Sequence, residues 1–258
     1  MKRLIRSFDR AGVRYLIVGG QAAILHGAAD FSEDVDLWIR PDRANIERAL
    51  GALAGLRARI HKLTPPLTRT HVAAGHGFHF RIPAAGPSEY LDLMPHPPRV
   101  RDFDAAAKRA AAEPPSGLIA AIEDLVRMKR TRRPSDYETI SRLVRVRLRR
   151  AGSPSASLWR WALLNTFDAE DLASYAQAAP TAAWRGVRRP AAVLLRRASG
   201  ATTKARALLA QEMSTLQSKD AAYWRKRRAQ LKRLRQRGEL LPEGAPVASL
   251  LRGKRGRR

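Results

Sequence analysis

Residues 34–37 read Asp-Val-Asp-Leu, at the head of the apolar run Val35 to Arg40. Alternation with period two is the signature of a β-strand, in which residues two apart project from one face. Asp34 and Asp36 are therefore expected to point together, with Val35 and Leu37 pointing into a core. Such a strand needs a sheet with one buried face and one polar face. Two neighbouring carboxylates repel each other, and a purely structural strand gains nothing from that. A pair of divalent cations such as Mg²⁺ does gain, because hard cations take oxygen ligands. Taken alone, the pattern also fits a solvated strand end.

The rest of the first 150 residues alternates helix and strand signals. Leu4, Ile5 and Phe8 suit one face of a short helix that Gly12 ends. Val13 to Val18 is a β-like run stopped by Gly19-Gly20. Gln21 to His26 favours helix, with Gly27 as its stop. Pro41-Asp42 opens a helix with Ile46, Leu50 and Leu53 at helical spacing. Phe78 to Ile82 and Tyr90 to Met94 read as strands, with Gly75-His76-Gly77 as a turn between strands. Leu118 to Met128 and Tyr137 to Leu148 read as helices separated by Pro134. The order predicts an α+β fold: a small mixed β-sheet domain over 1–150 with helices on one face. Ala151-Gly152-Ser153-Pro154-Ser155 has linker composition. A mainly α-helical, basic region is expected over 151–258.

Charge narrows the function classes. The 258 residues hold 49 Lys plus Arg against 23 Asp plus Glu, a net charge of +26. That surplus predicts a positive surface field and polyanionic partners. Residues 151–258 carry 22 basic and 7 acidic residues, against 27 and 16 in 1–150, so the last part is the more basic. Cysteine is absent, which excludes disulfides, thiolate zinc sites and a cysteine nucleophile. No apolar run approaches the roughly 18–20 residues that span a bilayer, and the stretch from Tyr15 to Val18 is too short and too late for a signal peptide. A cytoplasmic location is expected.

Two further features bear on the Asp34/Asp36 pair. Gly19-Gly20 lies between a strand and a helix, where missing Cβ atoms let the backbone approach a ligand and helix N–H groups suit a phosphate. A plain tight turn is the other reading. Asp92 is the only acid inside the apolar run from Tyr90 to Met94. If its strand lies beside that of Asp34 and Asp36, three carboxylates converge. His71, His76 and His79 lie within nine residues of one another, without an acid or cysteine at a zinc-like spacing. His26, at a helix end, fits a packing or capping role.

Gly19-Gly20, Ala22, His26-Gly27, Asp34-Val35-Asp36-Leu37 and Asp92 together resemble the polymerase β-type nucleotidyltransferase superfamily. More narrowly they resemble the AbiEii-like and minimal nucleotidyltransferases of toxin–antitoxin and phage-defence systems. The block Ile122 to Lys129 followed by Arg133-Pro134-Ser135-Asp136 is similar to the helical segment after the third carboxylate in those proteins. The resemblance covers roughly residues 10–145. Gln21 stands where many relatives carry Ser, and Asp30 and Ser32 stand where they carry Arg and Thr.

The resemblance implies transfer of a nucleoside monophosphate from an NTP to an acceptor, with two Mg²⁺ ions clamping the phosphates and the attacking hydroxyl. It makes Asp34, Asp36 and Asp92 the metal-holding, catalytic triad. Gly19, Gly20, Gln21 and Ser32 would line the triphosphate, and Lys129 would contact a phosphate or the acceptor, with Asp136 pairing Lys129 or Arg133.

The basic region bears on the acceptor. Asp168-Ala169-Glu170-Asp171 resembles a capping box opening a helix to about Ala179. Ala201 to Gln217 and Lys219 to Arg237 read as helices, the second strongly basic with Trp224, Leu231 and Leu234 as a thin apolar line. The tail from Arg252 to Arg258 is expected to be disordered. RNA fits this charge best, with Trp224 or Tyr223 stacking a base and Arg225, Lys226, Arg227 and Arg228 on phosphates. A tRNA 3′ end is the expected acceptor, with the protein acting as a toxin. An acidic antitoxin is a second candidate partner. A membrane surface is the poorest fit. Two other functions stay open: nucleotidylylation of a protein, and a degenerate transferase scaffold that binds RNA or a partner.

Overall fold

The computed structural model describes residues 1–112, 118–198 and 200–252. Their contacts divide the chain into two compact units. One takes in 1–25, 31–124 and 225 onward; the other takes in 26–30 and 125–224.

The first unit is built on a mixed sheet. Helix α1 (Lys2–Arg10) leads into β1 (Tyr15–Val18), and α2 (Gly19–His26) follows without a break. Strand β2 (Asp34–Ile39), helix α3 (Arg43–Gly55), strand β3 (Arg59–Ile60) and helix α4 (Arg69–Ala73) come next. They are followed by β4 (Phe78–Ile82), β5 (Glu89–Met94), α5 (Phe103–Arg109), β6 (Ala111–Ala112) and β7 (Leu118–Ile119). The strands lie in the order β3-β4-β5-β2-β1-β7-β6. β2 runs parallel to β5 and antiparallel to β1. The α+β fold expected from the alternating signals is the one observed.

Period-two burial sorts the sheet into two faces. Val35, Leu37, Phe78, Phe80, Ile82, Leu91 and Leu93 are buried on one face. Each such side chain contributes roughly 1.5–3 kcal/mol of transfer free energy. Asp34, Asp36, His79, Tyr90 and Asp92 alternate with them and are half-buried on the opposite face. Asp42 caps α3 by accepting from the Asn45 N–H at 2.9 Å. The buried Asn45 side chain in turn donates to the carbonyls of Arg14 and Arg40, tying the start of β1 to the end of β2.

The structure corrects several expectations. The helix expected over Leu118 to Met128 is a strand followed by a helix, α6 (Ile122–Met128). Ile119 pairs in parallel with Ile17, and the Ala120 N–H donates to the Ile17 carbonyl at 3.0 Å. Those apolar residues are claimed by the sheet, and Glu123 and Asp124 then open the helix with favourable first-turn charge. Pro134 does not merely separate helices. It starts α7 (Pro134–Arg150), where its missing N–H costs nothing. Gly75-His76-Gly77 joins α4 to β4 rather than two strands.

The second unit is helical. It contains α7, α8 (Ala156–Asn165), α9 (Ala169–Ala178), a 3-10 turn (Thr181–Trp184), α10 (Pro190–Arg197) and the first part of α11 (Thr202–Gln236). Asp168 caps α9 by accepting from the Asp171 N–H, as its capping pattern predicts. His26 is buried, with Arg150 donating to its carbonyl at 3.0 Å, which is the packing role expected of it. The linker-like 151–155 segment falls inside this unit.

Two helices were expected over Ala201 to Arg237, but α11 is one helix of 35 residues. No Gly or Pro interrupts it, and its Ala, Leu, Lys and Arg are all strong helix formers. Its last turns and the residues beyond belong to the sheet unit. Leu234 is buried there, and Val247 is fully buried. The chain then runs along β3: Ile60 N–H donates to Ala245 O, Gly244 N–H to Ile60 O and Val247 N–H to Ala58 O, each at 2.9 Å. The last helix, α12 (Ala248–Arg252), packs on α3. Composition marked 151–258 as one basic region and gave no sign of this return. The expected disordered tail lies, beyond Arg252, outside the described residues.

Candidate functional site

The carboxylate face is set by strand register. In the parallel β2–β5 pair, Asp36 is directly opposite Asp92 and Asp34 is opposite Tyr90. Directly opposite residues share a face, as do residues two apart on one strand. Asp34, Asp36 and Asp92 therefore occupy three adjoining positions on the polar face.

The glycine corner closes against this group. Gly19 has φ +65, a left-handed conformation that favours glycine, and it carries the chain from β1 straight into α2. A Cβ on Gly19 would overlap the Asp36 carboxylate, lying 2.6 Å from its Cγ. A Cβ on Gly20 would lie 2.7 Å from Ser32 Cβ. Both glycines are thus required by close approach, Gly19 to a carboxylate and Gly20 to the loop before β2. Gln21 Nε2 donates to the Ser32 carbonyl at 3.3 Å, and Ser32 Oγ donates to the Asp34 carbonyl at 3.0 Å. Gln21 and Ser32 thereby hold the entry to β2.

Two residues that sequence reasoning did not select complete the face. His79 is the register partner of Asp92 in the antiparallel β4–β5 pair, and its Nδ1 lies 2.6 Å from Asp92 Oδ1. Lys62 Nζ lies 3.6 Å from Asp34 Oδ2. His79 was legible as the polar member of the alternating run Phe78-His79-Phe80-Arg81-Ile82. Lys62 carried no signal, because its position depends on a turn after the two-residue strand β3.

The donor set suits a hard divalent cation, since it consists of carboxylate oxygens beside a corner free of Cβ atoms. Among the described residues, no three His, Asp or Glu side chains already form a metal-holding group. As they stand, Asp34 leans on Lys62 and Asp92 on His79.

The remaining predicted residues make contacts of their own. Lys129 belongs to the helical unit, where its ammonium pairs with Asp136 at 2.7 Å. Both side chains are nearly buried, and Thr131 Oγ1 donates to the same carboxylate. Asp30, also in that unit, is an exposed partner of Arg142. Trp224 packs edge-on against Tyr223 with ring centroids 5.2 Å apart. Arg225, Lys226 and Arg228 are exposed on α11 and Arg227 is half-buried. From Arg225 onward this basic stretch belongs to the same unit as the carboxylates.

His71 and His76 contact each other edge to face, whereas His79 serves Asp92. His76 is buried, and burial first, then the charges of His71 and Arg227, hold its pKa below the usual imidazole value, against a hydrogen bond with Gln230.

No family model matches the chain, and a sequence comparison with curated proteins finds no match. No described helix is long and apolar enough to cross a membrane.

Proposed function

We propose that the protein is a divalent-cation-dependent nucleotidyltransferase that moves a nucleoside monophosphate from an NTP to a hydroxyl of an RNA acceptor, forming the new bond at the α-phosphorus and releasing pyrophosphate. The observation that carries this reading is the in-register placement of Asp36 opposite Asp92, with Asp34 on the same face and Gly19 against Asp36. Three acids at adjoining positions repel one another. Their placement gains a purpose when they share cationic charge.

Asp34, Asp36 and Asp92 would hold two Mg²⁺ ions, which when bound supply charge neutralisation at the triphosphate and lower the pKa of the attacking hydroxyl. The chain's own contribution is positional. The Gly19 corner lets the Asp36 carboxylate pack against the backbone at the start of α2, whose N-terminal N–H groups would face phosphate oxygens brought to Asp36. Ser32 and Gln21 fix the loop that aims Asp34. In this scheme Asp92, held by His79, would stand beside the acceptor hydroxyl and accept its proton.

The net charge of +26 and the exposed Arg225, Lys226 and Arg228 support a polyanionic acceptor. A tRNA 3′ end is the preferred acceptor, and action as a toxin held by an antitoxin is the biological setting proposed. The charge disfavours a cationic small-molecule acceptor. The test is incubation with each labelled NTP, Mg²⁺ and total tRNA. Mg²⁺-dependent label in RNA, lost in Asp36→Asn, is the expected result. Label in a protein band would identify nucleotidylylation of a protein instead.

A second reading is favoured by the ion pairs that Asp34 and Asp92 already make. In it the scaffold binds RNA or a partner without catalysis. It predicts that Asp36→Asn leaves salt-dependent RNA binding and the biological effect intact, and that no NTP binds.

A further inference from the structure

We propose that Lys62 is a phosphate-binding residue of the carboxylate site, a role that no motif in the sequence assigns to it. The inference rests on the nucleotidyltransferase reading and names a residue that would contact its substrate.

Lys62 has φ +55, a left-handed conformation that costs a residue with a Cβ and that glycine or asparagine would adopt more cheaply. The turn holding it is fixed on both sides. His61 N–H donates to the His79 carbonyl at 2.9 Å, and Thr64 Oγ1 donates to the His61 carbonyl at 2.8 Å. Thr64 Oγ1 also accepts from the His79 N–H at 3.1 Å, and Leu241 N–H donates to the Thr64 carbonyl at 2.9 Å. The Lys62 N–H itself is held by Glu243 Oε1 at 3.3 Å. The strained residue is thus pinned by β4 and by the returning C-terminal segment, and its side chain is delivered to Asp34.

The pair with Asp34 does not account for this expense. The lysine side chain is 49% exposed and the carboxylate 33% exposed, and pairs of that kind contribute little to stability. What the turn does secure is a cation on a flexible stem at the edge of the carboxylate group, open to solvent. Phosphoryl oxygens brought to Asp34 come within reach of Nζ, and an ammonium serves as a point charge that tolerates several phosphate geometries. The family resemblance implies such a role for Lys129, yet its ammonium is nearly buried against Asp136. Lys62 is a cation that the sheet unit itself sets beside Asp34. The phosphate is either that of the incoming nucleotide or that of the acceptor backbone, and the arms of the test separate the two.

The experiment is calorimetric titration of the full chain, in Mg²⁺ at fixed ionic strength, with inorganic tripolyphosphate, ATP and a short single-stranded RNA. Lys62→Met removes the charge while keeping an unbranched side chain one atom shorter, and is expected to weaken tripolyphosphate and ATP by about tenfold. Lys62→Arg is expected to keep most of the affinity. Lys62→Gly relieves the backbone strain, so it should raise the melting midpoint while losing the same affinity, which separates binding from folding. A loss confined to RNA supports Lys62 as a contact to the acceptor's phosphates. If the wild-type chain binds neither tripolyphosphate nor ATP, the transferase reading fails and takes this proposal with it. If the wild type binds and Lys62→Met binds all three ligands equally well, the proposal for Lys62 is overturned and the transferase reading stands.

Discussion

Asp36 and Asp92 come from segments more than fifty residues apart and face each other directly across the parallel β2–β5 pair. Their opposition fixes where the acids act as a group. Asp36→Asn keeps the shape while removing the charge and replacing one acceptor oxygen by an amide donor. It is expected to abolish Mg²⁺-dependent NMP transfer, with a loss of at least 100-fold on the order of single electrostatic deletions in active sites, and to leave the circular dichroism spectrum unchanged.

Gly19→Ala is expected to damage the fold as well as the site. The added Cβ meets Asp36, and φ +65 is unfavourable for alanine. A cost of roughly 1–3 kcal/mol is expected in denaturant titration. Gly51→Ala is the matched control. It sits inside α3 with open space around its Cα, and it is expected to stabilise by about 0.5–1 kcal/mol.

His79 holds Asp92 through one nitrogen, so its removal should free the carboxylate rather than unfold the sheet. His79→Ala is expected to lower transfer by about tenfold, the scale of losing a partner that orients a ligand. His79→Asn places an amide N–H near the position of Nδ1 and should recover part of the rate. Equal activity in the wild type and both variants would show that Asp92 needs no orientation by His79.

His76 predicts an acid limb in stability. Its pKa is lowered in the folded chain, where burial and the charges of His71 and Arg227 oppose protonation and Gln230 hydrogen-bonds the ring. The unfolded chain therefore binds more protons as pH falls below the ordinary value of 6.5, and stability drops in that window. His76→Gln should flatten the part of the pH–melting curve below pH 6.5. An unchanged slope there would refute the assignment.

Val247 tests whether the returning segment is part of the sheet unit. It is fully buried and its N–H bonds Ala58. Val247→Ala is expected to cost about 2 kcal/mol, on the scale of deleting buried methyl groups, and to be visible in the global unfolding transition.

The carboxylate strands were legible because their signal is local. Asp34, Asp36 and Asp92 each interrupt an apolar alternation, and Val35, Leu37, Leu91 and Leu93 supply the burial that forces the acids to the other face. Leu118-Ile119 misled because a short apolar run fits a helix or a strand equally well, and only the distant Ile17 decides between them. Lys62 and the β3 edge were hidden for the same reason. Their positions depend on Thr64, His79 and the far segment at 241–247, pairings that no local pattern encodes. His79 is visible in its alternating run, but its nearness in sequence to His71 and His76 masks the fact that strand register sets it against Asp92.

The seating of 241–247 along β3 has a bearing on biogenesis. A ribosome delivers residues 125–224 before it delivers the strip that covers Ile60 and Ala58. Until that strip emerges, the nascent sheet presents an uncovered rim of backbone donors and acceptors, the kind of rim that recruits other chains. The interval between those two moments is when a chaperone would be most needed.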